Sequence, residues 1–180
     1  DMSRIEKLKT TIPSAGMRTQ RRARLHGLMD ACTARPVTVI SAPAGFGKTI
    51  LVADWSSNGE TTPLVAWVSL DAKDRNGPRL LHHILAALRR HHPGLSADVT
   101  GMLARGQDAD PLDLLGYLLE DLREWNTPVV IVLDDFQFVD GRAIARALQF
   151  AVPHLPETVR LVLVTRQRPC LPLASWRAKG

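Results

Sequence analysis

Residues 37–50 read VTVISAPAGFGKTI, an apolar β-branched run that passes through a short glycine-bearing loop into a helical pattern. Nothing else in the chain constrains the fold as tightly. The loop follows G-x-x-x-x-G-K-[ST], except that Ala42 stands at the first glycine position. Strand, glycine loop and helix in that order belong to an α/β sheet, which opens toward ligand at the carboxyl ends of its strands.

Phosphate binding needs backbone N–H donors converging on one point, a helix N-terminus behind them and a cation in front. Residues 44–49, AGFGKT, supply all three. Gly45 and Gly47 let the backbone turn with positive φ and approach phosphates closely. Lys48 brings its charge to the β and γ phosphates, and Thr49 offers a hydroxyl to Mg²⁺. Ala44, Phe46 and Ile50 complete the stretch expected to lie along a nucleotide. Ala42 precedes a proline, so Pro43 holds it in the extended region, where a Cβ costs little. At positive φ it would cost about 1–2 kcal/mol. Pro43 has no N–H, so the donors are expected from Gly45 to Thr49.

The remaining elements alternate. Residues 22–34 place Leu25, Leu28, Met29 and Cys32 at helical spacing, after a polar lead-in over residues 1–21. PLVAWVSL reads as a second strand, and Pro78 opens a helix with Leu81, Ile84, Leu85 and Leu88 on one face. Residues 96–110 are weakly patterned and read as a short helix within a loop. Asp110 caps a leucine-rich helix over residues 111–125. TPVVIVLDDF is a continuous apolar strand of the kind buried on both faces of a parallel sheet, and a further helix leads to a last strand, VRLVLVTR. The expected fold is a three-layer α/β P-loop NTPase with a mainly parallel sheet, of the ASCE type. Residues 22–180 form its core.

Bulk properties bound the rest. A chain of 180 residues suits one domain, and 45% hydrophobic with 23% charged residues describes a globular protein rather than a disordered one. The absence of a long apolar run and of a signal-like amino end leads to the expectation of a cytoplasmic protein with no membrane partner. Cys32 and Cys170 are far apart and form no metal pattern, so both are read as packing residues in a reducing compartment. The net charge of +5 permits nucleic-acid contact without requiring it. His82, His83, His91 and His92 point in different directions on a helix, unlike a zinc site, and are read as solvated. Trp67 and Trp125 are read as packing residues. No G-x-S-x-G elbow and no N-K-x-D guanine motif is present, which argues against a serine hydrolase and a GTPase.

Chemistry needs more than a phosphate loop. VVIVLDD ends an apolar strand with Asp134 and Asp135. Asp134 is expected to help hold Mg²⁺, and Asp135 to orient or deprotonate an attacking water. Arg166 follows the last strand, beside Thr165. If that strand lies between the loop strand and the Asp134 strand, both point at a γ phosphate and distinguish ATP from ADP.

Taken together, SAPAGFGKT, VAWVSLDAKDRNGPRLLHHILAAL, VIVLDDFQFVD and HLPETVRLVLVTRQRPCLPLASWRAKG resemble the nucleotide-binding domain of MalT-like, LuxR-family transcriptional regulators, which are signal-transduction ATPases with numerous domains (STAND). The resemblance runs from Arg22 to Gly180. It implies an ATP-dependent switch: ADP holds a resting monomer, ATP with an inducer favours self-association, and slow hydrolysis resets it. The family roles carry over to Lys48, Thr49, Asp134, Asp135 and Arg166, and residues Met17 to Arg22 would lie near adenine. Family chains start the loop with Ala, as here. They also continue into another sheet strand, a helical lid region, a sensing domain and a DNA-binding helix-turn-helix, so a truncated core that binds no DNA by itself is expected, a weak ATPase with a regulatory role. Two other readings stand beside this one, a P-loop small-molecule kinase and a DNA-stimulated ATPase or AAA+-like motor fragment.

Overall fold

The four apolar runs become the four strands of one sheet: β1 (Val37–Ser41), β2 (Leu64–Ser69), β3 (Val129–Asp134) and β4 (Val159–Thr165). A computed structural model describes residues 3–14, 27, 29–31, 34–57, 63–104 and 110–178, with the side chains of residues 177 and 178 excepted. The strands are all parallel, in the order β1-β4-β3-β2. β4 therefore lies between the loop strand and the Asp134 strand, as the ASCE arrangement requires. Among the described residues, β1 and β2 are the outer strands.

Helices cover both faces. They include α1 (Arg4–Lys9), α2 (Lys48–Ser57), α3 (Gly77–Arg89), α4 (Ala97–Ala104), α5 (Pro111–Trp125), α6 (Arg142–Ala151) and α7 (Leu173–Ala178). All six residues of β3 are buried, which is why its sequence shows no polar alternation. Its odd positions, Val129, Ile131 and Leu133, join the core under α3, α5 and α6. Its even positions, Val130 and Val132, join Val52, Ala53 and Trp55 of α2 on the other face. The cap signals are used as read: the Asp110 carboxylate accepts the Leu112 N–H at 2.9 Å, with Pro111 in the first turn of α5. Among the described residues no helix is long and apolar enough to cross a membrane.

Three expectations meet a different outcome. The polar lead-in contains a helix, α1, started by a capping box between Ser3 and Glu6. It packs on α3 and β2, the outer strand remote from the loop strand; the expected adenine contact at Met17 to Arg22 lies outside the described residues, as do Leu25, Leu28 and Cys32. His83 is not solvated but 3% exposed, with Nε2 3.3 Å from Asp74. Of the other three, His91 is exposed as expected, with Nε2 2.9 Å from the Val65 carbonyl, and the His82 side chain is 43% exposed beside Glu6, while His92 is half-buried and packs edge-on to Trp125. Cys170 is exposed, not packed: the Asp140 carboxylate holds its backbone N–H at 3.0 Å, and the neighbouring Pro169 is the residue of this turn that is buried. Trp67, by contrast, is buried as expected, its indole N–H donating to Ser69.

Candidate nucleotide-binding site

β1 delivers its loop at the carboxyl edge of the sheet, where Ala42 still follows the strand, its N–H reaching the Thr165 carbonyl at 3.4 Å. Ala42 is not among the described residues with positive φ, whereas Gly45 and Gly47 adopt +82° and +71°. Pro43 and the two glycines thus divide the work as their backbone preferences dictate. Around both glycines the space where a Cβ would stand is open within 4 Å. Residues 43–47 are exposed, with the Phe46 side chain 70% exposed.

α2 begins at Lys48. Its ammonium donates to the Ala42 carbonyl at 2.5 Å and to the Pro43 carbonyl at 2.9 Å. The cation therefore sits over the loop, and its hydrogen bonds among the described residues go to these two neutral carbonyls. One residue on, the Thr49 hydroxyl donates to Asp134 Oδ1 at 3.0 Å, joining the start of α2 to the end of β3. The two residues are 85 positions apart in sequence, and only the crossover topology brings them together.

Asp134 is 4% exposed. Burial pushes its carboxyl above the ordinary carboxylate value; the Thr49 hydroxyl and the Asp135 N–H that donate to it pull the other way, while the negative Asp135 adds to the push. A buried carboxylate carrying unrelieved cost beside a hydroxyl fits a hard divalent cation that keeps water ligands and takes others from phosphate. Thr49 and Asp134 could hold such an ion, and Lys48 with the N–H groups of residues 45–49 could hold phosphates.

Asp135 turns sharply away from the strand, at φ 57° and ψ 39°. Its Oδ1 lies 3.4 Å from the Arg166 guanidinium and accepts the side-chain N–H of Gln137 at 2.8 Å. Gln137 in turn accepts the Arg166 backbone N–H through Oε1 at 3.0 Å. The structure thus brings Asp135 and Arg166 together, and adds Gln137, which the sequence reading passed over. Thr165 does not join them: its hydroxyl is 1% exposed and bonds the Gln167 carbonyl at 3.0 Å.

Known proteins share this architecture. Cdc6p from Pyrobaculum aerophilum superposes with a TM-score of 0.67 at 16% identity, over 94% of this chain and 46% of that one. The ORC2 protein of Aeropyrum pernix in its ADP form gives 0.55 at 18% identity, over 94% and 46%. The ORC1 protein of the same organism in complex with DNA gives 0.54 at 17%, over 85% and 41%. The chain thus spans under half the length of the structures it matches, and identities this low speak for the fold alone. A sequence model described as "AAA ATPase domain" matches residues 17–164. With its phosphate loop, its parallel sheet and that match over most of its length, the chain belongs to the AAA ATPase domain family.

Proposed function

We propose that the chain binds ATP with Mg²⁺ and hydrolyses it slowly, as the switch domain of a MalT-like, LuxR-family regulator in the cytoplasm whose nucleotide state governs self-association. The observation that carries the nucleotide reading is the 3.0 Å bond between Thr49 and Asp134, which joins the phosphate loop to a buried carboxylate. The regulatory reading draws on the paired Asp134 and Asp135 and on Arg166 in the motifs named above.

In this reading Lys48 leaves the Ala42 and Pro43 carbonyls for the β and γ phosphates, and backbone N–H groups from Gly45 to Ile50 line the nucleotide, with Ala44 and Phe46 alongside. Thr49 and Asp134 would hold Mg²⁺, which would supply neutralisation of charge on the phosphate oxygens. Asp135 takes a proton from water as its oxygen bonds to the γ phosphorus, and the bond from that phosphorus to the bridging oxygen breaks to leave ADP. Arg166 moves to the γ phosphate and stabilises the charge there.

A second reading has its own observation: three of the structurally similar proteins are Cdc6 and ORC proteins, one of them solved in complex with DNA. In that reading the chain is an AAA+ ATPase module whose turnover responds to DNA. Melting temperatures with ADP, ATP and GTP in Mg²⁺, for the wild type and Lys48→Ala, test the shared core. A ligand at a hundredfold excess over its dissociation constant adds about 2.7 kcal/mol of stability. A wild type that shifts with no nucleotide ends both readings. Hydrolysis with and without duplex DNA at two salt concentrations separates them, because DNA affinity carries a steep salt dependence.

A further inference from the structure

Asp135 occupies a left-handed backbone conformation that residues other than glycine adopt rarely, so its placement is over-determined by its surroundings. Gln137 bonds the carboxylate that this backbone presents. One side-chain amide serves two strands: Nε2 donates to Asp135 Oδ1 at 2.8 Å after β3, and Oε1 accepts the Arg166 N–H at 3.0 Å after β4. The amide has one orientation that works, since the carboxylate needs a donor and the N–H needs an acceptor. Arg166 closes the triangle on the same Oδ1 at 3.4 Å. Among the described residues both contacts fall on Oδ1, which leaves Oδ2 as the oxygen able to take a proton from water.

We infer that Gln137 is a positioning residue that couples Asp135 to Arg166. It aims the Asp135 carboxylate and ties that aim to the backbone of the arginine. A pull on Arg166 from a third phosphate passes through the amide to the base, so hydrolysis is set by the presence of the γ phosphate and not by binding alone. The inference rests on the nucleotide reading above and adds to it a residue that touches no substrate.

Three variants of the full chain test it. Gln137→Glu keeps the shape and turns the donor into a repelling oxygen, Gln137→Leu removes both functions, and Gln137→His restores one donor and one acceptor while its imidazole is neutral. Glu and Leu should lower kcat for ATP hydrolysis about ten- to a hundredfold, a part of what a general base supplies, with affinity for ADP within about threefold. His should recover most of kcat at about pH 8 and lose it below about pH 6.5, where both ring nitrogens become donors. Where turnover of the wild type falls below detection, the ratio of ATP to ADP affinity is read instead, and Gln137→Leu should lower it about tenfold. A Glu variant with kcat or affinity ratio within about twofold of wild type overturns the inference. So does a His variant no better than Leu, or a loss of kcat matched by an equal loss of ADP affinity. A wild type that binds no nucleotide removes the nucleotide reading itself, and this inference with it; a wild type that binds ATP while the variants behave as wild type removes this inference alone.

Discussion

Lys48 and Lys9 stand at opposite sides of the sheet and are satisfied in opposite ways. Lys48, after β1, rests on two neutral carbonyls of its own exposed loop. Lys9, on the helix against β2, meets the Asp71 and Asp74 carboxylates, and Asp74 is fully buried with Arg79 Nε at 3.0 Å and His83 Nε2 at 3.3 Å. A cation held by dipoles keeps nearly its whole charge for an arriving anion, whereas one paired with carboxylates is committed to the fold. The chain places the exchangeable cation on its exposed glycine loop and the committed one where a short helix is pinned.

The strongest way to break this comparison is Asp74→Ala. It should destabilise the fold by about 3 kcal/mol, the lower end for breaking a buried ion pair, because Arg79 reaches solvent. Urea unfolding measures it, and a cost no larger than that of a surface substitution would mean that the cluster does not pin α1. Lys48→Ala should do the reverse: leave the ligand-free melting temperature within about 1 °C and abolish the roughly 2.7 kcal/mol of stabilisation from saturating ATP. Equal destabilisation by the two variants would erase the distinction.

Asp134→Asn should raise the melting temperature by about 2–4 °C, the shift that ~1 kcal/mol gives a domain of this size. The folded carboxyl binds its proton more tightly than the unfolded one, so its burial costs stability once pH has risen past the ordinary 3.8 and the raised folded value. The same variant should lose Mg²⁺-dependent nucleotide binding.

Acidification should give the smallest effect. Burial holds His83 below its ordinary 6.5, with Asp74 favouring its charged form and Lys9, Arg79 and His82 opposing it. Between the two values the unfolded chain binds the proton more tightly, so stability is full above about pH 6.5 and falls below it. Melting temperature should drop by about 1–2 °C from about pH 7.5 to about pH 5.5, and His83→Gln should remove that part of the drop. Asp74 adds a second loss at lower pH. Burial alone would raise it, but the hydrogen bonds from Lys9, the Asp71 N–H and Arg79 carry it below the ordinary 3.8, so its contribution persists above that value and is lost as pH falls through the folded one.

How far the sequence could be read follows from where each signal resides. The strands and the loop were legible because β-branched runs, Pro43 and two glycines state local backbone demands, and the Asp pair was legible because it ends such a run. Gln137 was not, because its role exists only once β3 and β4 lie side by side and bring residues 29 positions apart into contact. α1 is six residues long with none buried, too short for periodicity to show, although the spacing of Ser3 and Glu6 carried its start signal. His83 falls one turn beyond Leu80 on the buried face of α3, a position the helical spacing marks but composition disguises.

The order β1-β4-β3-β2 also has a consequence in time. Ser41 pairs with Thr165, so the loop strand leaves the ribosome well over a hundred residues before its neighbour exists. At about 5–20 residues per second that is a wait of roughly 6–25 s. During it β2 and β3 can pair while β1 has nothing to lie against among the described strands, and long-range parallel pairing is slow in any case. The glycine loop follows the first of the four described strands to be made, yet its surroundings at Thr165 are among the last of them to arrive, so the loop takes its place only when the sheet is complete.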